Sequence, residues 1–187
     1  MTEHRSDWCA MRFAPLLLPK ALERVDRYEK TTIMDLGSPS PETVSYYNRF
    51  RCQVYFADLV EQAAGEAFDE PELDIPDGVR FDICLFWDTL SYLDAPILRK
   101  VAARLATHID TETRGHGFVA FSPASSFSCC RFRIEDTHCL LAEPDQAAAS
   151  RGHTWKDIED AMWPWVCGAT SLMQGNRQEL LLTKEQY

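Results

Sequence analysis

Residues 31–59 constrain this chain more than any other stretch. Residues 32–36 read as a short apolar strand, and Asp35-Leu36-Gly37 as the tight turn at its end. Ser38 or Ser40 can cap the helix that follows. Pro39 or Pro41 suits its first position, where proline has no needed N–H to lose and its φ is already helical. The helix is predicted to run to about Phe50, with Val44, Tyr47 and Phe50 facing inward. Residues 53–57 read as a second strand, with Asp58 at its end. Strand, glycine turn, helix, strand and terminal carboxylate make half of an α/β unit of the nucleotide-binding kind. Its acid lies about 20 residues beyond the glycine turn, where such folds meet ribose hydroxyls.

The rest of the chain continues this pattern. Residues 81–87, FDICLFW, are the strongest strand, apolar almost throughout, as a parallel strand covered on both faces must be. Asp94 can cap a helix over 95–109 whose Ile97, Leu98, Val101, Ala102, Leu105 and Ile109 keep helical spacing. Residues 117–122 form the next strand, reached by a right-handed parallel crossover. Residues 66–78 are acidic, hold Pro71 and Pro76, and read as a solvated loop, with no convincing strand between 60 and 80. Residues 130–134 and 139–141 can pair around Glu135-Asp136-Thr137. Trp155, Ile158 and Met162 mark one face of a helix ended by Pro164. Residues 170–173 and 178–183 read as strand, turn, strand. Residues 1–19 look irregular, and 20–28 can form a short helix with Leu22 and Val25 on one side. The predicted organisation is a cap segment over 1–30 and one compact domain over 31–187.

Bulk properties exclude several classes. The formal charge is −10, and an acidic body repels phosphate backbones, which argues against a nucleic-acid partner. No run of about 18 apolar residues is present, so no membrane span is predicted. The apolar piece at 13–18 is short and followed by no small-residue cleavage site, which argues against a secretory signal. Seven cysteines, an odd number with no Cys-x-x-Cys, fit a reducing compartment, and the predicted location is cytoplasmic. Cys129, Cys130, His138 and Cys139 can be drawn as a zinc cluster, but adjacent cysteines chelate tetrahedrally with difficulty. Core or loop thiols are the preferred reading. The histidines at 108, 116, 138 and 153 are read as surface residues, since nothing pairs them into a catalytic set.

Taken in order, residues 31–184 resemble the class I S-adenosylmethionine-dependent methyltransferases. The residues that carry the likeness are Ile33-Met34-Asp35-Leu36-Gly37, Asp58, the 81–88 strand and its end, and 118–123. The resemblance implies an α/β fold, a three-layer sandwich whose mostly parallel Rossmann-like sheet ends in an antiparallel hairpin. It implies S-adenosylmethionine as cofactor, with Asp35, Gly37 and Ser38 beside its methionine portion and Asp58 on its ribose. Trp87 would border the cofactor, and Asp88 would orient the acceptor or accept its proton. Tyr92 would border the adenine or belong to the core. Pro39 and Pro41 stand where the family carries further glycines, so the loop offers fewer N–H groups to a carboxylate.

Two readings follow. One is a methyltransferase acting on an acceptor the sequence does not name, its substrate over the strand ends and residues 124–152 as part of the cover. The other is an inactive relative used as a binding or assembly module, with a homodimer or protein partner meeting Trp163 and Trp165. For each carboxylate a purely structural role stands beside the functional one: Asp35 as a turn former, Asp88 as a strand end. A nicotinamide-dependent oxidoreductase fits worst, because the glycine fingerprint is poor.

Overall fold

A computed structural model of the chain describes residues 11–64, 68–122, 124, 128–149 and 152–185. Readings placed on residues 1–10, Glu66, Pro123 and the Cys129 side chain lie outside the described residues. In chain order the elements are β1 (Met11–Phe13), α1 (Leu18–Ala21), β2 (Thr31–Asp35), α2 (Pro41–Tyr47), β3 (Cys52–Phe56) and α3 (Leu59–Ala63). There follow β4 (Ile83–Trp87), α4 (Thr89–Tyr92), α5 (Ala95–Ala106), β5 (Arg114–Ala120), β6 (Ser128–Asp136) and β7 (Cys139–Ala149). Last come α6 (Trp155–Ile158), β8 (Trp165–Leu172) and β9 (Arg177–Lys184).

The fold is mixed α/β, built on a six-stranded sheet of order β3-β2-β4-β5-β9-β8. The first four strands are parallel, and β9 and β8 run antiparallel to their neighbours. The parallel register sets Asp35 opposite Phe56 on one side and Leu85 on the other, so the ends of β2, β3 and β4 lie together. No strand falls among the described residues between 60 and 80, and the sheet has β3 at its edge.

Strand alternation sorts the core into two clusters. Met34, Cys84, Phe86, Val119, Leu180 and Leu182 face one side, with α5 packed on them through Leu98, Val101 and Leu105. Ile33, Leu85, Trp87 and Phe118 face the other, under Leu18 and Leu22 of the N-terminal segment, Tyr46 and Tyr47 of α2, and Phe132 and Ile134 of β6. A second, three-stranded sheet of order β1-β7-β6 lies on that side. No helix among the described residues is long and apolar enough to cross a membrane.

Several expectations need correction. Residues 11–13 form a strand on β7, although this stretch reads as irregular, because its partner strand is supplied from residues 140–142. The first helix is Leu18–Ala21, earlier and shorter than 20–28. Helix α2 begins at Pro41 with Ser40 as its cap, and stops at Tyr47. That phase buries Thr43, Tyr46 and Tyr47 and packs Phe50 on the same cluster, so the predicted inward face holds at Tyr47 and Phe50 and fails only at Val44, which is exposed. The acidic 68–78 loop is not merely solvated, since Leu73 and Ile75 pin it to the core. His108 and His116 are buried, not surface residues, and Trp165 is core, not an exposed contact.

Candidate functional site at the strand tips

Asp35 ends β2 and Trp87 ends β4, both on the same face of the sheet as Ile33 and Leu85. The Trp87 indole Nε1 donates to Asp35 Oδ1 at 2.6 Å. The Gly37 N–H donates to the same oxygen at 2.9 Å. Asp35 is 2% exposed. Burial pushes its carboxyl up to about 6, partly offset by these two donors, and the nearby Asp58 charge adds to the rise. Trp87 reaches this position because its φ is 51°, in the left-handed region that bulky residues avoid, and because β4 shifts register against β5 between Leu85 and Trp87.

Gly37 is needed for space. A Cβ there would stand 2.8 Å from Trp87 Cδ1 and 3.0 Å from Nε1. The glycine of the turn is therefore the seat of the indole. The indole also stacks on Phe132 of β6, with ring centres 5.2 Å apart and planes 14° from parallel. Phe132 in turn stacks on Phe118, which meets His116 edge-on at 5.0 Å.

The β6–β7 hairpin that carries Phe132 is strapped across the strand tips. On the α2 side, the Ile134 N–H donates to Thr43 Oγ1 at 3.0 Å, Tyr46 Oη meets Thr137 Oγ1 at 3.0 Å, and Arg133 pairs with Glu42 at 3.2 Å. On the α3 side, Arg131 pairs with Glu61 at 2.8 Å. The two helices that flank the turn are thus joined over it.

Asp88 is 1% exposed and held on both oxygens. Arg177 donates from Nη2 to Oδ2 at 3.0 Å and from Nε to Oδ1 at 3.4 Å, and the Cys130 N–H donates to Oδ2 at 2.9 Å. Burial pushes the Asp88 carboxyl up, with Arg177 pulling the other way. Asp58 takes a left-handed φ of 41° and caps α3, accepting from the Glu61 N–H at 3.3 Å. Ser38 lies in the loop between Gly37 and α2. Tyr92 is partly buried against the α5-side core.

Of the six residues named from the sequence, Asp35, Gly37 and Trp87 are in mutual contact. Asp58 is near enough for its charge to bear on Asp35, and Asp88 belongs to a separate ion pair. A hollow of about 360 Å³ lies against Arg177, walled by Met11, Phe13, Leu16, Leu172 and Met173, and none of the six lines it.

Sequence reasoning missed a buried group on the same face. Glu179 of β9 is fully buried and accepts from the N–H groups of Leu16, Leu17 and Leu18 at 2.8–2.9 Å. His116 Nε2 lies 2.8 Å from its Oε1. Burial pushes the Glu179 carboxyl up, but His116 and these backbone donors outweigh it and hold it below the usual glutamate range. The signal was parity: His116 shares a strand face with Phe118, and β5 and β9 are neighbours.

No protein-family model matches the sequence, and no curated protein does. Solved structures match the fold. One is a 1,6-didemethyltoxoflavin-N1-methyltransferase from Burkholderia thailandensis, solved with its substrate and S-adenosylhomocysteine bound. It is 15% identical, with a TM-score of 0.53 over 91% of this chain and 76% of that one. Another is an S-adenosylmethionine-dependent methyltransferase from Clostridium acetobutylicum, 11% identical, with a TM-score of 0.50 over 91% and 89%.

Proposed function

We propose, from the premise that this chain has the fold of the class I S-adenosylmethionine-dependent methyltransferases, that its donor site has been taken over by its own side chains and that it works as a binding or assembly module. The observation that carries this is the Trp87 indole seated on Gly37 and hydrogen-bonded to Asp35. By resemblance, those two residues would lie beside the methionine portion of the donor. The residues present do not fit that group. Asp35 gives its Oδ1 to both Trp87 and Gly37, Pro39 and Pro41 remove loop flexibility or N–H donors, and Asp58 caps its own helix. Asp88, the carboxylate that would serve the acceptor, is neutralised by Arg177.

The two core clusters on opposite faces and the antiparallel β8–β9 pair support the finer reading of the fold as a three-layer sandwich closing in a hairpin. Cysteines at 52, 84, 139 and 167 that form no disulfide support a cytoplasmic location.

One observation favours a second reading, a gated enzyme whose indole swings out when donor arrives: Trp87 holds a strained positive φ, and such strain clusters at functional sites. Calorimetry and thermal shift with S-adenosylmethionine and S-adenosylhomocysteine at millimolar concentration separate the two. The module reading expects no saturable heat and no shift. It expects no donor or product released when the purified protein is denatured and read by mass spectrometry. Recovery near one molecule per chain, or binding in the micromolar range, overturns it in favour of the gated enzyme.

A further inference from the structure

At the sheet edge opposite β3, an open cleft of about 740 Å³ lies beside β8. Trp155, Trp163, Glu159, Asp160 and Thr170 line it, with Trp165 beneath. Three features mark this cleft. First, β8 ends the strand order, so one backbone edge of Trp165–Leu172 meets no strand among the described residues, and an unpaired edge is a template for another strand. Second, Trp163 is 46% exposed, while Trp165 is almost fully buried with an Nε1 that finds no hydrogen-bond partner. Third, both charged residues that line the cleft are acidic. Neither Glu159 nor Asp160 makes a side-chain hydrogen bond or ion pair among the described residues.

Indole faces attract cations, unpaired carboxylates do so at longer range, and a free strand edge takes up an extended main chain. We propose that this cleft binds an extended basic peptide. One Lys or Arg side chain lies against Trp155 and Trp163 within reach of Glu159 and Asp160, and the peptide main chain runs along the open edge of β8. Charge selects this occupant over a second copy of the chain. Two copies, each with a formal charge of −10, repel one another, whereas a basic peptide is drawn to the same surface. The inference deepens the module reading, and its test uses peptides rather than the methyl donor, so the two fail separately.

The probe is an end-blocked hexapeptide of alternating Arg and Val, titrated by calorimetry, with a Glu–Val peptide of the same length as control. Trp163→Ala, and separately the double variant Glu159→Gln/Asp160→Asn, are expected to weaken binding by about tenfold or more. The charge-matched double variant Glu70→Gln/Glu72→Gln, on the 68–78 loop, which does not line the cleft, is expected to leave it within about twofold. Amide exchange over 165–172 is expected to slow when peptide binds. Should Trp163→Ala not fold, the carboxylate variant carries the test. The proposal is overturned if the wild-type chain ignores the basic peptide or takes the acidic one equally well. Equal weakening by the two charge variants, which marks a general attraction to an acidic surface, also overturns it. So does a dimer in sedimentation that Trp163→Ala abolishes.

Discussion

The indole N–H of Trp87 and the carboxylate of Asp35 meet at 2.6 Å, at the ends of two adjacent parallel strands, with Gly37 filling the angle between them. Both side chains are buried, so the contact belongs to the core. Trp87→Phe keeps an aromatic ring under Phe132 but removes the donor. Asp35 then retains one N–H donor, and its carboxyl is pushed further up. The variant is expected to lose about 1–3 kcal/mol, measured by urea unfolding. The loss should be larger at pH 8, where the charge must be carried, than at pH 5. A loss independent of pH would mean the bond to Asp35 contributes nothing.

Asp35 itself gives a pH signature. Its carboxyl titrates near 6 in the folded chain and near 3.8 when free of the fold. Between those values the folded state binds more protons than the unfolded state, so stability falls as pH rises. The slope is about 1.4 kcal/mol per pH unit, or about 3 kcal/mol across the window. Asp35→Asn keeps an acceptor for both N–H donors and removes the titration. Its stability relative to wild type is therefore expected to rise from pH 4 to pH 6 and to stay level above, read from denaturant midpoints at several pH values.

Gly37→Ala tests the seat of the indole. The new methyl would stand 2.8 Å from Trp87 Cδ1, too close without movement of a ring that is also stacked on Phe132. The expected cost is about 1–3 kcal/mol, with a red shift or broadening of tryptophan emission as the ring is displaced. An unchanged melting temperature would show that the ring has room to move.

The Asp88–Arg177 pair predicts non-additivity. Arg177→Met alone leaves a buried carboxylate facing only the Cys130 N–H, and is expected to cost about 3–5 kcal/mol. Asp88→Leu combined with Arg177→Met removes both charges and is expected to recover most of that loss. A double variant as unstable as the sum of the singles would show that each residue acts through other contacts.

Glu179 is expected to act as the latch of the N-terminal segment. Glu179→Gln keeps the strand but replaces a charged acceptor of three backbone N–H groups and of His116. Hydrogen exchange should quicken over residues 16–22 more than over β5 or β9. A uniform change across the sheet would remove the latch and leave only a general loss of stability.

How much of this was legible in the chain can be argued from particular residues. The strand–turn–helix–strand order at 31–59 and the apolar run at 81–87 specify a parallel α/β sheet, because only strands covered on both faces tolerate so many apolar residues in succession. Period-two alternation sets Ile33 with Asp35 on one face of β2 and Leu85 with Trp87 on one face of β4, and the register of the two strands makes that a shared face. Parity gives a face and no distance. That Trp87 touches Asp35 depends on the parallel register of β2 with β4, on a left-handed φ and on a register shift against β5. It depends also on a hairpin arriving from residues 128–149 to press the indole down. Those are long-range choices, set by what packs against the tip and not by the residues of the tip. His116 with Glu179, and Asp88 with Arg177, are the same case: each pair joins residues more than sixty positions apart, and only the tertiary packing that excludes water from them decides that they must be partners.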